Sequence, residues 1–460
     1  MNFDRLKKLF LDFYFEPLSD RQFRRHCILI FAVALLLRIV LALPALQEPS
    51  ALLRPDSLGY WNPAAALAAG DGLVTAPGST VPEVVRPVGY PAYLALGILL
   101  AGNSFRIAAL LGIAASVLTV LPIILTTACA VSRRAGLLAG WLYALNITAI
   151  AAAPMILSDT LLGFTCAWQF YAAIKFIRQR RLHFFALLVL MVMLGMLVKP
   201  VNLLIVLGGL PLILCLGAAS LKEFGKGLLL WAVLFSAILL PYWVRNWQLC
   251  GDIDGNSANL YFHNGSAIMA HATGESSEVW RQRLLDSAEY EFARNPRKYP
   301  TLREQNRYKK QQFRAMIKKY PYDSVITHLP NIYNLLPDVP SLLENNLVTQ
   351  SGRGTMAVLR KDGFFAAVNH YFNGKSYILL LLIPLLMVHL FILLSALRQL
   401  VGYFCRGNWR MLLIFAVLAF YYIWAPGPVI SPRYLLPALP CLIFMAVQPW
   451  NKSDENSINI

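Results

Sequence analysis

Charge is scarce in this chain. Only 14% of its 460 residues are Asp, Glu, Lys or Arg, against about a quarter in soluble domains, which excludes an ordinary water-soluble globule. Acid is scarcer still: 24 acidic residues face 41 basic ones, for a formal net charge of +17. Such an excess invites a nucleic-acid reading. Many of the cations, however, lie in short loops between apolar runs, where membrane topology accounts for them. Of the seven cysteines, only Cys250 is expected outside the membrane and away from the cytoplasm, so no internal extracytoplasmic disulfide is available. HExxH, a CxxC pair, a Walker loop and a usable Ser-His-Asp spacing are all missing. The seven histidines are scattered, and His389, inside an apolar run, reads as a packed, hydrogen-bonded residue. Zinc and redox enzymes are unsupported. The chain also lacks internal repeats and low-complexity tracts.

What it has is apolar length. Hydrophobic residues make up 57% of the sequence, and a membrane span needs roughly 17–25 of them in succession. Ten runs qualify, the last of them short: 27–46, 104–131, 135–153, 157–177, 183–198, 201–220, 228–244, 377–397, 411–425 and 434–448. Basic residues favour the cytoplasmic side. Arg24 and Arg25, Arg133 and Arg134, Lys175 to Arg181, Lys222 and Lys226, and Arg398 to Arg410 all fall on one side if both termini are cytoplasmic. The fold expected is an all-α polytopic membrane protein in the inner (plasma) membrane. The basic stretch 1–26 has no continuous apolar core and reads as a cytoplasmic, interfacial leader rather than a cleaved signal.

Three parts are expected: an N-terminal membrane module, 1–244, with an outer loop at 47–103; an extracytoplasmic segment, 245–376; and C-terminal spans, 377–460. Residues 89–101, GYPAYLALGILLA, are apolar but too short to span, so they suit an interfacial or re-entrant helix. In the outer segment, 276–295 and 301–320 read as helices, and Pro321 ends the second. Ten basic residues and one acid, Glu304, stand between Arg294 and Lys319. A solvated face near anionic head groups explains most of them. Gripping a phosphate or anionic acceptor would need only one or two.

Ionisable residues at membrane depth are expensive and tend to line cavities. Arg38, Asp159, Lys199, Arg245 and Arg433 fall at the outer ends of spans, and Asp56 and Arg86 in the first outer loop. Each has a plain alternative: snorkelling for the cations, helix capping for Asp56 and Asp159. Together they suggest a mostly cationic cavity on the outer face. A carboxylate facing several cations suits a transferase that takes a proton from a hydroxyl while stabilising a phosphate leaving group.

The stretch DSLGYWNPAAALAAGDGL, from Asp56, resembles the membrane-embedded C-type glycosyltransferases, which include the protein mannosyltransferases and lipid A aminoarabinose transferases. RPVGYPAYLAL (86–96) is similar to their R/K-P-P-x-Y-P block. LPYWVRNWQLCGD followed by NLYFHNG is similar to the opening of their large outer loop, and SPRYLLPALP to their final span. The resemblance implies a polyprenyl-phosphate sugar donor, an envelope glycan or glycolipid acceptor, inversion at the sugar carbon, and no nucleotide or other cofactor. It makes Asp56 the general base and puts Arg86 near the donor phosphate. Tyr60, Tyr90, Arg245, Asn264 and Arg433 lie within the matching blocks and join the candidates for substrate contact. Two departures stand out. Ser57 replaces the acid that follows the aspartate in protein mannosyltransferases, and the second acidic motif of metal-dependent oligosaccharyltransferases is missing, which implies no metal.

A lipid-linked sugar transporter would also be polar inside, but related halves and matching broken helices are not evident in the sequence. A protein O-glycosyltransferase and a non-catalytic assembly scaffold are further alternatives. In the scaffold, Asp56 would be dispensable.

Overall fold

The computed structural model describes residues 16–253, 255, 257–329, 331–348 and 354–449. The first fifteen residues, most of the leader, lie outside them. Regular structure among the described residues is helical throughout, apart from one isolated antiparallel bridge between Val74 and Pro82.

Helices coincide with the apolar runs, but the runs are not equally long once folded. Phe105–Ala130, Pro200–Gly217, Leu221–Cys250 and Leu382–Cys405 are long and apolar enough to cross a membrane. Gly89–Ala101, Leu182–Val198 and Met411–Trp424 are apolar but shorter. The first helix, Asp20–Val40, starts earlier than the run because Ser19 and Gln22 form a reciprocal capping box before it. The third run breaks at Asn146. Its side chain accepts from Ala149 N at 3.0 Å and opens a separate helix, Ile147–Ala152, as a cap does.

Two long helices widen into π turns, Ile205–Gly209 and Phe235–Leu239. Each turn sits just before a proline, Pro211 and Pro241. A proline cannot donate to the carbonyl four residues back, so the preceding turn loosens. The last run is a 3-10 turn, Pro432–Leu435, and a helix, Leu439–Ala446, whose every residue is buried. It packs into the bundle, where Phe444 stacks with Phe415 and meets Phe170 edge-on.

The outer helices are Ser277–Arg294 and Leu302–Lys319, and Pro321 opens the next, Pro321–Thr327. They close over a small core of Tyr261, Ile268, Leu284, Ala288 and Phe313. Burying a side chain such as Leu284 or Phe313 from water contributes about 1.5–3 kcal/mol. The tie between outer segment and bundle is apolar as well as polar, for Leu342, Leu343 and Phe372 share a core with Ile147, Ile150 and Ala151. Arg54 Nη2 donates to Asn345 Oδ1 at 2.8 Å, and Asn345 Nδ2 donates to Ala151 O at 2.7 Å.

Candidate active site

Helix ends converge on one cavity of about 560 Å3. Asp56 precedes the helix Ser57–Ala69, Asp159 opens Asp159–Gln179, and Lys199 follows Leu182–Val198. Arg433 enters from the Pro432–Leu435 turn and Asn264 from the π turn Leu260–Asn264. Helix polarity agrees with the charges: Asp159 sits at a positive N-terminus and Lys199 at a negative C-terminus.

Asp56 occupies the cap position of its helix but makes no capping bond. Its Oδ1 instead accepts from Arg86 Nη2 at 2.7 Å. The carboxylate stays about half exposed, with 47% of its side-chain surface open, so it can reach a further partner. The Arg86 guanidinium lies over the Tyr60 ring, 4.8 Å from its centroid. Gly59 makes room for it, since a Cβ there would approach Arg86 Nε to 3.2 Å. Burial works against the Arg86 charge, but Tyr60 and Asp56 outweigh it and raise the pKa.

Asp159 is placed differently. Only 6% of its side chain is exposed, and both oxygens are engaged: Oδ1 with Lys199 Nζ at 2.6 Å and Oδ2 with Arg433 Nε at 3.1 Å. It is a shared counter-ion for two cations. Lys199 also lies over the Tyr434 ring at 4.4 Å. Burial disfavours the charges of Lys199 and Arg433, yet Asp159 and then Tyr434 raise both pKa values, with Asp56 adding to the effect at Arg433.

Seven of the ten candidates line this cavity: Asp56, Tyr60, Arg86, Asp159, Lys199, Asn264 and Arg433. Tyr90 stands behind it, fully buried and edge-on to Tyr60 at 5.2 Å. Arg38 is elsewhere. It is wholly buried and donates to Ser116 Oγ at 2.7 Å, Ala34 O at 3.0 Å and Ala144 O at 3.2 Å. A guanidinium in the bundle cannot snorkel to water, so neighbouring helices supply its acceptors.

Arg245 is also outside the cavity. It donates to Leu73 O at 2.8 Å and Glu83 O at 3.0 Å. Glu83 in turn accepts from the Val85 and Arg86 amides at 2.6 and 2.8 Å. Arg245 therefore holds the loop that carries Arg86.

Several lining residues escaped sequence reasoning. His263 adjoins Asn264 in the NLYFHNG block, which was its only signal. Burial first, then Arg281, lowers its pKa, keeping it a neutral donor and acceptor. Asn264 Nδ2 donates to His328 Nε2 at 3.1 Å, and His328 Nδ1 faces Ser324 O at 3.0 Å; this pairing assigns the proton of His328 to Nδ1. Tyr421 and Tyr422 were hidden in an apolar run. The Tyr422 hydroxyl donates to Asn202 Oδ1 at 3.1 Å and braces the floor beside Lys199. Val201, Leu203, Leu204 and Val429 add an aliphatic stretch, and Asn259 and Trp424 also line the wall. Among the described residues, no group of three or more His, Cys, Asp or Glu is arranged to hold a metal.

The arrangement defines a helical bundle whose cavity is lined by both cations and aliphatic side chains. No family model matches the chain, and no curated protein matches it. Solved structures do. The chain is similar to ArnT from Cupriavidus metallidurans bound to undecaprenyl phosphate, at 15% identity and a TM-score of 0.40, over 91% of this chain and 77% of that one. It is also similar to the archaeal oligosaccharyltransferase AglB from Archaeoglobus fulgidus in complex with an inhibitory peptide and a dolichol-phosphate. There the identity is 13% and the TM-score 0.46, over 92% of this chain and 50% of that one. The chain thus spans half the length of that oligosaccharyltransferase.

Proposed function

We propose that this chain is an inverting glycosyltransferase of the membrane, moving a sugar from a polyprenyl-phosphate donor to a hydroxyl of an envelope glycan or glycolipid on the extracytoplasmic face. Ten spans with both termini cytoplasmic give this topology. The observation that carries the reading is the Asp56 carboxylate, uncapped, half exposed and lining one cavity with Lys199 and Arg433.

In the reaction, Asp56 accepts the proton of the acceptor hydroxyl as that oxygen attacks the sugar C1. The bond from C1 to the phosphate oxygen breaks, and the phosphate departs with the electron pair. Attack opposite the leaving group inverts C1. Three cations (Arg86, Lys199 and Arg433) face two carboxylates, leaving one surplus positive charge for a phosphodiester of single negative charge. The extra charge that develops on departure is met by charge-assisted hydrogen bonds from the same groups. Leu204, 58% exposed, with Val201 and Leu203 forms an apolar edge that suits a polyprenyl chain arriving from lipid.

The test uses the purified chain in liposomes with labelled polyprenyl-phosphate sugar and extracted envelope lipids. Asp56→Asn keeps the shape and removes the basicity. It retains donor binding and loses transfer by roughly 10²–10⁴-fold, the usual contribution of a general base. A loss below tenfold takes the base role from Asp56. A transporter would move donor across the bilayer and release no polyprenyl phosphate. Mass spectrometry of envelope glycans from a deletion strain names the acceptor.

A further inference from the structure

A second cavity, of about 360 Å3, lies where the helix Leu302–Lys319 passes the end of Leu240–Cys250. It shares no lining residue with the first. Arg303, Arg307, Lys310 and Arg314 face into it at the three- and four-residue spacing of one helix side. Its base is built. Asn306, buried, donates from Nδ2 to Cys250 O at 3.2 Å, which fixes the basic helix against the wall. The guanidinium of Arg303 lies 5.4 Å over the Trp247 ring.

The charges are unbalanced. Lys310 is paired with Asp252, but Arg303, Arg307 and Arg314 make no ion pair among the described residues. Like charges one turn apart repel, so three guanidinia converging on one hollow leave a deficit that an anion corrects.

The position says where the anion comes from. Leu221–Cys250 is one of the helices long enough to cross a membrane, and this cavity lies at its last turn. Leu240, Val244 and Trp247 are exposed along that helix, making an apolar strip that leads up to the guanidinia. A tryptophan at such a level marks the membrane–water boundary.

We infer that this cavity is a binding site for a phosphate-bearing lipid headgroup. Arg303, Arg307 and Arg314 take the phosphate oxygens, the paired donors of a guanidinium matching them two at a time. The acyl chains lie on the strip Leu240–Val244–Trp247. The site stands whether or not the first cavity transfers sugar.

The test is native mass spectrometry of the full chain in a nonionic detergent, titrated with phosphatidylglycerol or phosphatidylcholine, with and without sodium pyrophosphate. Wild type retains phosphatidylglycerol over phosphatidylcholine by about tenfold or more, a preference worth at least one charge-assisted contact. The triple variant Arg303→Gln, Arg307→Gln, Arg314→Gln loses that preference. A second triple, Arg297→Gln, Lys318→Gln, Lys319→Gln, removes the same charge away from the cavity and keeps it. The single variant Arg307→Gln, at an exposed position, lowers retention severalfold and guards against misfolding of the triple. Phosphatidylglycerol that resists pyrophosphate supports the lipid as occupant. Full displacement by pyrophosphate, without retention of lipid, assigns the pocket to soluble phosphate and overturns the lipid assignment. Equal losses in both triples, or no preference in wild type, overturn the site altogether.

Discussion

Replacing Asp159 by Asn tests the charge arrangement of the main cavity without touching Asp56. One buried carboxylate holds Lys199 at 2.6 Å and Arg433 at 3.1 Å. Removing one partner from a buried ion pair costs about 3–5 kcal/mol, because a charge is left uncompensated. Two features reduce that here. Lys199 and Arg433 keep 27% and 20% of their side-chain surface exposed, so water in the cavity takes up part of the lost interaction. Asn also keeps one carbonyl as acceptor. About 2–3 kcal/mol remains on that scale. An unfolding entropy of about 2.1 cal/mol/K per residue makes about 1 kcal/mol/K for 460 residues, so a fall of about 2–3 °C is expected. The assay is thermal unfolding of the purified chain in detergent, monitored by intrinsic fluorescence, with and without inorganic phosphate. Phosphate restores part of the loss in Asp159→Asn, since the stranded cations gain a counter-ion, and changes the wild type less. A shift below about 1 °C, or an equal phosphate effect on both proteins, refutes the counter-ion reading.

Three further outcomes follow from the same geometry. Arg86→Ala removes a charge-assisted contact worth about 1.5–3 kcal/mol, so turnover or donor binding falls about tenfold to a hundredfold while the protein stays folded; unchanged kinetics removes Arg86 from the site. A reporter active only outside the cytoplasm works when fused near Ser277 and is silent near Arg180, and the reverse pattern sinks the topology. The lowered pKa of His263 means that the unfolded chain takes up the proton more readily. The stability linked to His263 is therefore complete above about pH 6.5 and is lost as pH falls through the lowered folded pKa. Thermal stability falls between pH 7 and pH 5 in wild type and falls less in His263→Gln; equal slopes contradict that assignment.

Helix positions were legible because apolar length and proline punctuation are local properties. The helix Gly89–Ala101 has the limits that its sequence run suggested, and Leu302–Lys319 stops where Pro321 demands. The meeting of Asp56 and Arg86 was foreshadowed by two short blocks thirty residues apart. Other features depend on which helices touch, and no local pattern records that. An arginine in an apolar run reads the same whether it snorkels outward or, like Arg38, ties three helices together. Arg245 looked like an anion ligand because loop carbonyls such as Leu73 O leave no trace in sequence. Asp159 reads equally as a helix cap in sequence, whereas in the fold Lys199 and Arg433 occupy both its oxygens. Tyr421 and Tyr422 were read for their hydrophobicity alone, although their hydroxyls meet Val201 O and Asn202.

The lateness of Arg433 along the chain has a consequence for biogenesis. Translation delivers Asp56, Arg86, Asp159 and Lys199 well before Arg433, Tyr434 and Pro437, which supply the last wall of the cavity. Until the Pro432–Leu435 turn arrives, Asp159 has Lys199 alone and the hollow stands open on that side. The helix that follows, Leu439–Ala446, is enclosed by protein, so its place must already be shaped when it docks. A premature stop just upstream of Pro432 would leave a chain with both carboxylates in place and the Arg433 side of the cavity missing.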